Sequence, residues 1–202
     1  MSACLILLNG ELGDAALARR ASRGVRAVLC SDGGLRHART LGLTADVVIG
    51  DMDSLPRPLP KKAARAYSCD FDEATSDFEK ALRFALDAGF RTAFVAAALG
   101  GRVDHALVNL ALIEKYAGAL ELVVLDRCAA RLLGPGKYAR FARAGETFSV
   151  LAAPKARVTL AGVKYRLKSF SLSAGSRGLS NVAAARPALT VHSGRVWLIA
   201  AR

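Results

Sequence analysis

Two carboxylates with one residue between them, Asp51 and Asp53, lie in the segment Gly50–Ser54, directly after the apolar run Val47–Ile49. Two such charges in one place repel each other unless a cation joins them. Carboxylate oxygens are ligands that Mg²⁺ prefers, and protein-bound Mg²⁺ often binds nucleotide phosphates as well. The spacing alone leaves two interpretations open: a magnesium site, or a solvated turn in which Asp53 or Ser54 caps a short helix.

A second acidic segment, Asp70–Lys80, contains five carboxylates. Ser76 or Asp77 can cap the helix that the apolar spacing predicts, and Glu79 would favour its positive N-terminal end. Capping accounts for one or two of the five acids. Asp77 and Lys80 are three residues apart and can face one side of the first helical turn, where one could reach a metal ion and the other a phosphate.

A third segment begins with Gly100 and Gly101, which permit close approach to the backbone, and the predicted helix start beyond them favours an anion. Arg102 offers a planar pair of donors for a phosphate. Asp104 could equally be a helix cap, and His105 a polar helix residue without a catalytic role. The sequence has no Walker A, GxGxxG or protein-kinase motif, so phosphoryl transfer here would fall outside those classes.

The elements that must position these segments alternate between short strands and helices as far as about residue 128, a pattern typical of a mostly parallel sheet. The predicted strands are Leu5–Leu8, Ala27–Cys30, Val47–Ile49, Ala93–Leu99 and Leu122–Leu125, and the predicted helices are Asp14–Ser22, Leu35–Leu41, Asp77–Ala88 and Val103–Tyr116. Ligands of such sheets bind beyond the carboxyl ends of the strands. Ser31–Gly34, Gly50–Ser54 and Leu99–His105 all fall there, so we expect them to share one crevice.

After about residue 128 the pattern changes to short strand-like runs separated by Gly and Pro turn signals. These runs are Arg131–Leu133, Tyr138–Phe141, Thr147–Leu151, Arg157–Leu160, Leu189–His192 and Val196–Ile199. We therefore predict an α/β fold with two domains: an N-terminal, mostly parallel α/β domain over residues 1–135 and a small C-terminal all-β domain over residues 136–202.

Composition excludes several classes of protein. Of the 202 residues, 52% are hydrophobic and 23% are charged, which excludes an intrinsically disordered chain. No apolar run reaches the ~18 residues of a membrane-spanning helix. The N-terminal segment resembles no signal peptide, and the four cysteines lack zinc or disulfide spacing, so we expect a cytoplasmic protein.

The formal net charge is +12, and residues 141–202 hold ten of the 29 Lys and Arg residues but a single acid, Glu146. A nucleic-acid-binding surface is one interpretation of this basic segment. Its basic residues occur singly among apolar ones, which favours an ordinary solvated surface. We therefore expect neither nucleic acid nor membrane as a partner, and nucleic-acid binding is the remote alternative.

Taken in order, the motifs resemble the thiamine pyrophosphokinase (thiamine diphosphokinase) family over about residues 5–198. The motifs that carry the resemblance are Ser31–Gly34, Gly50–Ser54, Asp77–Leu82, Leu99–His105 with Asn109, Gly162–Tyr165 and Leu179–Asn181. The resemblance implies an α/β nucleotide-binding domain followed by a β-sandwich, in a homodimer with thiamine bound between subunits. It also implies the reaction, which is transfer of a diphosphoryl group from ATP to the hydroxyl of thiamine to give thiamine diphosphate and AMP.

The resemblance also implies roles for individual residues. The residues that would hold Mg²⁺ are Asp51, Asp53 and Asp77. The residues that would bind ATP are Asp32, Gly33, Gly34, Lys80, Gly101, Arg102 and Asn109. The residues that would bind thiamine are Asp77, Tyr165, Ser180 and Asn181. The catalytic set would be Asp51, Asp53, Asp77, Arg102 and Asp104, in which either Asp77 or Asp104 could accept the proton of the thiamine hydroxyl.

The chain departs from the family pattern at four positions. Glu73 and Ala74 stand where the family usually has Gln and Asp, Tyr165 stands where tryptophan is common, and Arg36 stands where Asn is frequent. The changes at Glu73, Ala74 and Tyr165 motivate the alternative that an enzyme of the same fold transfers a phosphate group to another small alcohol.

Overall fold

The computed structural model describes residues 2–55, 57 and 63–201. The chain divides into two compact units, the first ending at Arg127 and the second beginning at Cys128. The elements of unit 1 are strands β1 (Ala3–Leu7), β2 (Ala27–Ser31), β3 (Ala45–Gly50), β4 (Ala64–Cys69), β5 (Thr92–Ala96) and β6 (Glu121–Leu125), and helices α1 (Ala15–Ser22), α2 (Leu35–Leu41), α3 (Asp77–Asp87) and α4 (Val103–Tyr116).

The strands of unit 1 pair in parallel in the order β6-β5-β1-β2-β3-β4. Strand β1 is central, since Leu5 pairs with Val28 of β2 on one side and with Phe94 of β5 on the other. The chain runs outward from β1 to β4 and then crosses back to β5. The strand order therefore reverses between β1 and β5, and ligands of open α/β sheets bind at such a switch point.

Side-chain caps fix where two of these helices begin. The Asp14 carboxylate accepts hydrogen bonds from the N–H groups of Ala16 (2.8 Å) and Leu17 (3.0 Å) at the start of α1. The Ser76 hydroxyl accepts one from the Glu79 N–H (3.3 Å) at the start of α3. Such caps satisfy backbone donors that lack a partner within the helix. The Ser76 cap makes Asp77 the first residue of α3.

Within its described residues, unit 2 is built from strands alone. These are β7 (Ala129–Leu133), β8 (Gly136–Ala139), β9 (Thr147–Val163), β10 (Leu167–Ser173) and β11 (Asn181–Ala200). They connect in the order β10-β9-β11-β7, and β8 also pairs with β11. The core of the unit is an apolar cluster in which Phe148, Val150, Val158 and Leu160 are at most 2% exposed.

The mixed α/β fold is confirmed, and the differences from expectation have local causes. Strands β4 and β10 were not predicted because most of their residues are exposed, so neither shows an apolar run. Pro154 predicted a break, yet β9 runs through it as one strand. The assignment of the two domains and the sandwich arrangement stay predictions. Strand β7 pairs with β11 and so belongs to the second unit, although the predicted domain boundary at residue 135 placed it in the first. None of the described helices is long and apolar enough to span a membrane.

Candidate functional site

The loops that leave β1 and β5 meet at the switch point. The Gly10 N–H donates to the Ala97 carbonyl (3.0 Å), and the Glu11 N–H donates to the Leu99 carbonyl (3.1 Å). These bonds extend the β1–β5 contact beyond the strands. The loop after β1 therefore lies beside the segment that leads into Gly100 and Gly101.

Carboxylates from the ends of β2 and β3 converge beyond the same edge of the sheet. Oxygen atoms of Asp32, Asp51 and Asp53 all lie within 4.8 Å of one another. Asp32 is 2% exposed, whereas Asp51 and Asp53 are exposed. Together with Asp77, which faces Asp32, we call these residues the acidic cluster. The family resemblance implied Asp51, Asp53 and Asp77 as ligands and placed Asp32 with ATP, so the position of Asp32 among the carboxylates is new.

The turn after β3 holds Asp51 and Asp53 in this arrangement. The Asp51 carboxylate accepts the Asp53 N–H (3.1 Å), and the Asp53 carboxylate accepts the Ser54 hydroxyl (2.8 Å). The Ser54 N–H donates to Asp32 Oδ2 (3.1 Å), which ties the turn to β2. Met52 between the two acids has a φ of +71°, a conformation that costs a non-glycine residue free energy and is frequent at functional sites.

The Asp77 carboxyl titrates near neutrality. Its pKa rises from 3.8 to about 7, first because of burial and then because of the charge of Asp32 and a hydrogen bond shared with it; Asp51 adds to the rise, while Lys80 opposes it. The end of β3 also lies close to this carboxyl group, since a Cβ added at Gly50 would lie 3.0 Å from Asp77 Oδ1. Without a cation in the cluster, Asp77 is therefore protonated below about pH 7 and ionised above it.

Lys80 lies in contact with the cluster, as its spacing from Asp77 predicts. Its Nζ atom donates to the Asp70 carbonyl at 2.7 Å and lies 3.9 Å from Asp77 Oδ1. The residue is 6% exposed. A buried ammonium group needs such partners, and here it partly offsets the negative charge of the cluster.

The donor set fits a hard divalent cation. Three carboxylates from the ends of β2 and β3 point to a common place, and burial together with the charge of Asp32 raises the pKa of Asp77 beside them. Mg²⁺ is bound by such oxygens, usually with several water molecules retained. The residues present therefore suit Mg²⁺, with Asp32, Asp51 and Asp53 as the nearest set and Asp77 beside them.

Arg102 and Asp104 form an ion pair at the start of α4. The guanidinium donates to both carboxylate oxygens, through Nε at 3.1 Å and Nη2 at 2.5 Å, and both side chains are exposed. The hydrogen bond from Arg102, followed by that from the His105 N–H, lowers the pKa of Asp104 to about 2. Asp104 therefore stays ionised and orients Arg102, whose guanidinium has further N–H donors that an anion could use.

Three further residues of the predicted ATP site have conformational or packing roles. Gly101 has a φ of +69° with open space around it, which favours glycine on conformational grounds. A Cβ at Gly33 would lie 2.3 Å from Asn9 Cγ, so Gly33 admits the Asn9 side chain. Asn109 is buried, and its Nδ2 atom donates to the Ala98 carbonyl at 2.8 Å, which joins α4 to the loop after β5.

In unit 2 the structure brings Tyr165, Ser180 and Asn181 together. Asn181 is 3% exposed; its Oδ1 accepts from the Tyr165 and Val182 N–H groups and its Nδ2 donates to the Tyr165 carbonyl. The Tyr165 ring is exposed, with Lys164 Nζ 5.2 Å from its centroid. The Ser180 N–H donates to Ser149 Oγ at 3.1 Å. Asn181 thus positions Tyr165, while the tyrosine ring remains accessible.

The sequence did not reveal the residues that hold the loop after β1. Arg36 Nη2 donates to the carbonyls of Asn9 (2.7 Å) and Gly10 (3.0 Å). The buried His37 ring also bonds the Gly10 carbonyl through Nε2 at 2.8 Å, and burial lowers the pKa of His37. The pair Asn9-Gly10 at a strand end is the one signal that could have indicated this loop.

Comparison with known proteins identifies the family. A family model described as the catalytic domain of thiamin pyrophosphokinase matches residues 19–124, a little over half of the chain. The chain belongs to the thiamin pyrophosphokinase family. The matched span includes the acidic cluster, Lys80 and the Arg102–Asp104 pair. No curated protein matches the chain.

Solved thiamin pyrophosphokinase structures share the fold across nearly the whole chain. The enzyme from Bacillus subtilis is 20% identical with a TM-score of 0.83, covering 98% of each chain. The enzyme from Geobacillus thermodenitrificans is 25% identical with a TM-score of 0.80, covering 98% of this chain and 96% of that one. The enzyme from Candida albicans is 14% identical with a TM-score of 0.80, and the match covers 98% of this chain and 88% of that enzyme.

Proposed function

We propose that the chain is a thiamine diphosphokinase, which transfers a diphosphoryl group from ATP to the hydroxyl of thiamine and releases AMP. The observation that carries the proposal is the acidic cluster at the strand ends of a chain in the thiamin pyrophosphokinase family. A diphosphoryl transfer requires positioning and neutralisation of charge more than covalent participation of the protein. An acidic metal site beside basic side chains suits that requirement.

Asp32, Asp51 and Asp53 would hold Mg²⁺, which when bound supplies positive charge to the phosphate oxygens of ATP. Arg102 and Lys80 would supply the remaining positive charge to the transferred group. Arg102 is held ready by Asp104, and Lys80 by the Asp70 carbonyl. Gly101, whose φ of +69° favours glycine, adds no side chain to the backbone that precedes Arg102.

We assign the proton of the thiamine hydroxyl to the Asp77 carboxylate rather than to Asp104. Asp77 is the stronger base of the two: without a cation its pKa is about 7, and Mg²⁺ beside it would lower that value and leave it ionised and able to accept a proton, whereas the pKa of Asp104 is about 2. Asp104 is also occupied by Arg102. Asp77 lies next to the proposed metal ligands and so next to the phosphate that is attacked.

The thiazolium ring of thiamine carries a positive charge, which the face of an aromatic ring attracts. The exposed Tyr165 ring already has a cation beside it, the Lys164 ammonium group. We propose that thiamine takes this place on Tyr165, with Ser180 forming another wall and Asn181 fixing the Tyr165 backbone.

We further propose a homodimer with thiamine bound between subunits. In unit 2 the exposed large apolar side chains include Tyr165, Phe170 and Leu179, and exposed apolar groups of this size favour an interface. Light scattering would test the proposal: Leu179→Glu should convert a dimer to a monomer. A wild-type monomer at all concentrations would contradict it.

We also propose a cytoplasmic location. Cys4 and Cys30 are buried thiols that form no disulfide, as is typical of proteins in a reducing compartment. Fractionation of the producing cell would test this location.

A product assay tests the proposed reaction. Purified protein is incubated with thiamine, ATP and Mg²⁺, and the products are separated. Equal amounts of AMP and thiamine diphosphate are expected. ADP with thiamine monophosphate would contradict attack at the β-phosphorus. The absence of product with ATP bound would instead favour another small alcohol as acceptor, and Glu73, Ala74 and Tyr165 would be the positions to examine.

A further inference from the structure

Unit 2 contains a cavity of about 380 Å³ that the proposed reaction does not use. This volume lies within the range of small-molecule sites in proteins. Its charged lining residues are Arg131, Arg140, Arg143 and Glu146. Three arginines against one glutamate leave a formal excess of two positive charges. We call this cavity the arginine pocket.

Arg131 is a charged residue on the apolar face of the sheet. Strands β7 and β11 are antiparallel, with Arg131 directly opposite Leu198 and its neighbour Ala129 opposite Ala200. Directly opposed residues project to the same face, and Ala129, Leu198 and Ala200 are each about 5% exposed. Arg131 therefore stands on the apolar face of the sheet, where an aliphatic residue would continue the core.

Arg131 nevertheless has no ion pair or side-chain hydrogen bond with any described residue. A guanidinium on an apolar face requires either a partner or access to water. Here it is exposed because the pocket opens above it. The same holds for the arginines at positions 140 and 143, whose side chains make no ion pair within the described part of the chain.

The aromatic walls of the pocket are fixed in place. The Tyr138 hydroxyl donates to the Gly134 carbonyl at 3.0 Å. The Phe141 ring packs edge-on against the buried Phe148 ring, with centroids 5.0 Å apart. Arg140, which precedes Phe141, has a φ of +57°, and a left-handed arginine of this kind is often found where a backbone shape serves a site. The Glu146 carboxylate accepts the Arg143 N–H at 2.7 Å and closes the turn.

We propose that the arginine pocket binds an organic phosphate. The phosphate or diphosphate group would lie against the arginines, which are planar donors suited to such anions. The flat or apolar body of the ligand would lie against Tyr138, Phe141 and Leu198. The site uses none of the residues of the acidic cluster, and it does not depend on the proposed reaction.

Calorimetric titration of the full chain with inorganic pyrophosphate tests the proposal. The buffer contains EDTA, because without a divalent cation the acidic cluster repels anions. We expect saturable binding that Arg131→Leu and Arg143→Gln each weaken by about tenfold or more, the value of one charge-assisted hydrogen bond. Arg186→Gln is the matched control, since it removes one charge from an exposed position of the same unit and should leave the affinity unchanged.

Each other result counts against the proposal. Absence of saturable binding, or equal affinity in the wild type, Arg131→Leu and Arg143→Gln, would overturn it. Equal loss in Arg186→Gln would show attraction by net charge alone, and loss in Arg102→Gln with no loss in Arg131→Leu would locate the anion at α4. A thermal melt checks that the variants are folded. Arg131→Leu extends the apolar face, so its melting temperature should be no lower than that of the wild type. AMP and thiamine diphosphate titrated in the same buffer then separate nucleotide from product as the source of the phosphate.

Discussion

Both polar atoms of the Asn181 side chain bond the backbone of Tyr165. The Oδ1 atom accepts from the Tyr165 N–H at 3.1 Å, and the Nδ2 atom donates to the Tyr165 carbonyl at 2.9 Å. Oδ1 also accepts from the Val182 N–H, and the residue is 3% exposed, so the carboxamide is directed into the protein. We therefore expect Asn181 to affect thiamine binding through the position of Tyr165.

The Tyr165 ring and its support should be separable by substitution. Tyr165→Ala should raise the thiamine KM roughly tenfold, since it removes a cation–π contact, while the melting temperature and the ATP KM stay unchanged because the ring is exposed. Steady-state kinetics and a thermal melt measure these quantities. An unchanged thiamine KM would show that Tyr165 is only a turn residue.

Asn181→Ala should affect both stability and thiamine binding. It leaves two N–H groups and a carbonyl without partners at a buried position, and we expect the free energy of unfolding to fall by about 3 kcal/mol. The thiamine KM should rise as well. Ser180→Ala is the stability control, because only the Ser180 backbone N–H makes its 3.1 Å bond. Equal stability of Asn181→Ala and the wild type would contradict the positioning role.

Substitution of Asp53, an exposed residue of the proposed metal site, should severely reduce activity. Asp53→Asn should reduce kcat at least a thousandfold while the fold is retained, because a ligand charge is lost and the side chain remains the same size. Ser54→Ala removes the 2.8 Å hydrogen bond to Asp53 without changing the charge and should cost much less. Wild-type turnover in Asp53→Asn, at any Mg²⁺ concentration, would remove Asp53 from the site.

Binding of Mg²⁺ should depend on pH. The pKa of Asp77 is raised on folding from 3.8 to about 7, so the folded protein holds this proton more tightly than the unfolded chain does. Without a cation, stability should therefore fall as the pH rises from about 4 to about 7. Above pH 7 the ionised cluster attracts Mg²⁺ more strongly. The increase in melting temperature caused by Mg²⁺ should be larger at pH 8 than at pH 6, and this difference should vanish in Asp77→Asn.

Arg36 should stabilise the loop that follows β1. Arg36→Ala removes the hydrogen bonds to the Asn9 and Gly10 carbonyls, which should lower the melting temperature by several degrees and raise the ATP KM, since this loop lies beside Gly33 and Gly100. Arg39 is an exposed arginine one turn further along α2. The control Arg39→Ala should change neither the melting temperature nor the ATP KM. Equal behaviour of the two variants would show that the loop holds without Arg36.

The sequence predicts most of unit 1 because its strands are apolar and its helices have caps, as at Asp14 and Ser76. The helix Val103–Tyr116 has the limits that its spacing predicts. Strand β4 escapes prediction because an edge strand needs no apolar run. Asp32 in the acidic cluster could not be derived from spacing, since its distance to Asp51 depends on how β2 and β3 are paired. The same limit applies to Arg36, whose partners lie 26 and 27 residues away.

Strand β1 begins the sheet, yet one of its two neighbours, β5, is about ninety residues further along the chain. Closing a loop of that length delays a contact relative to local pairing. During synthesis, β1 can pair with β2, and β2 with β3, well before β5 has left the ribosome. The part of the crevice that contains Asp32, Asp51 and Asp53 can therefore form early. The part that contains Arg102 forms later, because it follows β5 in the chain. A nascent chain halted before residue 92 would leave one edge of β1 unpaired, and an unpaired strand edge favours aggregation.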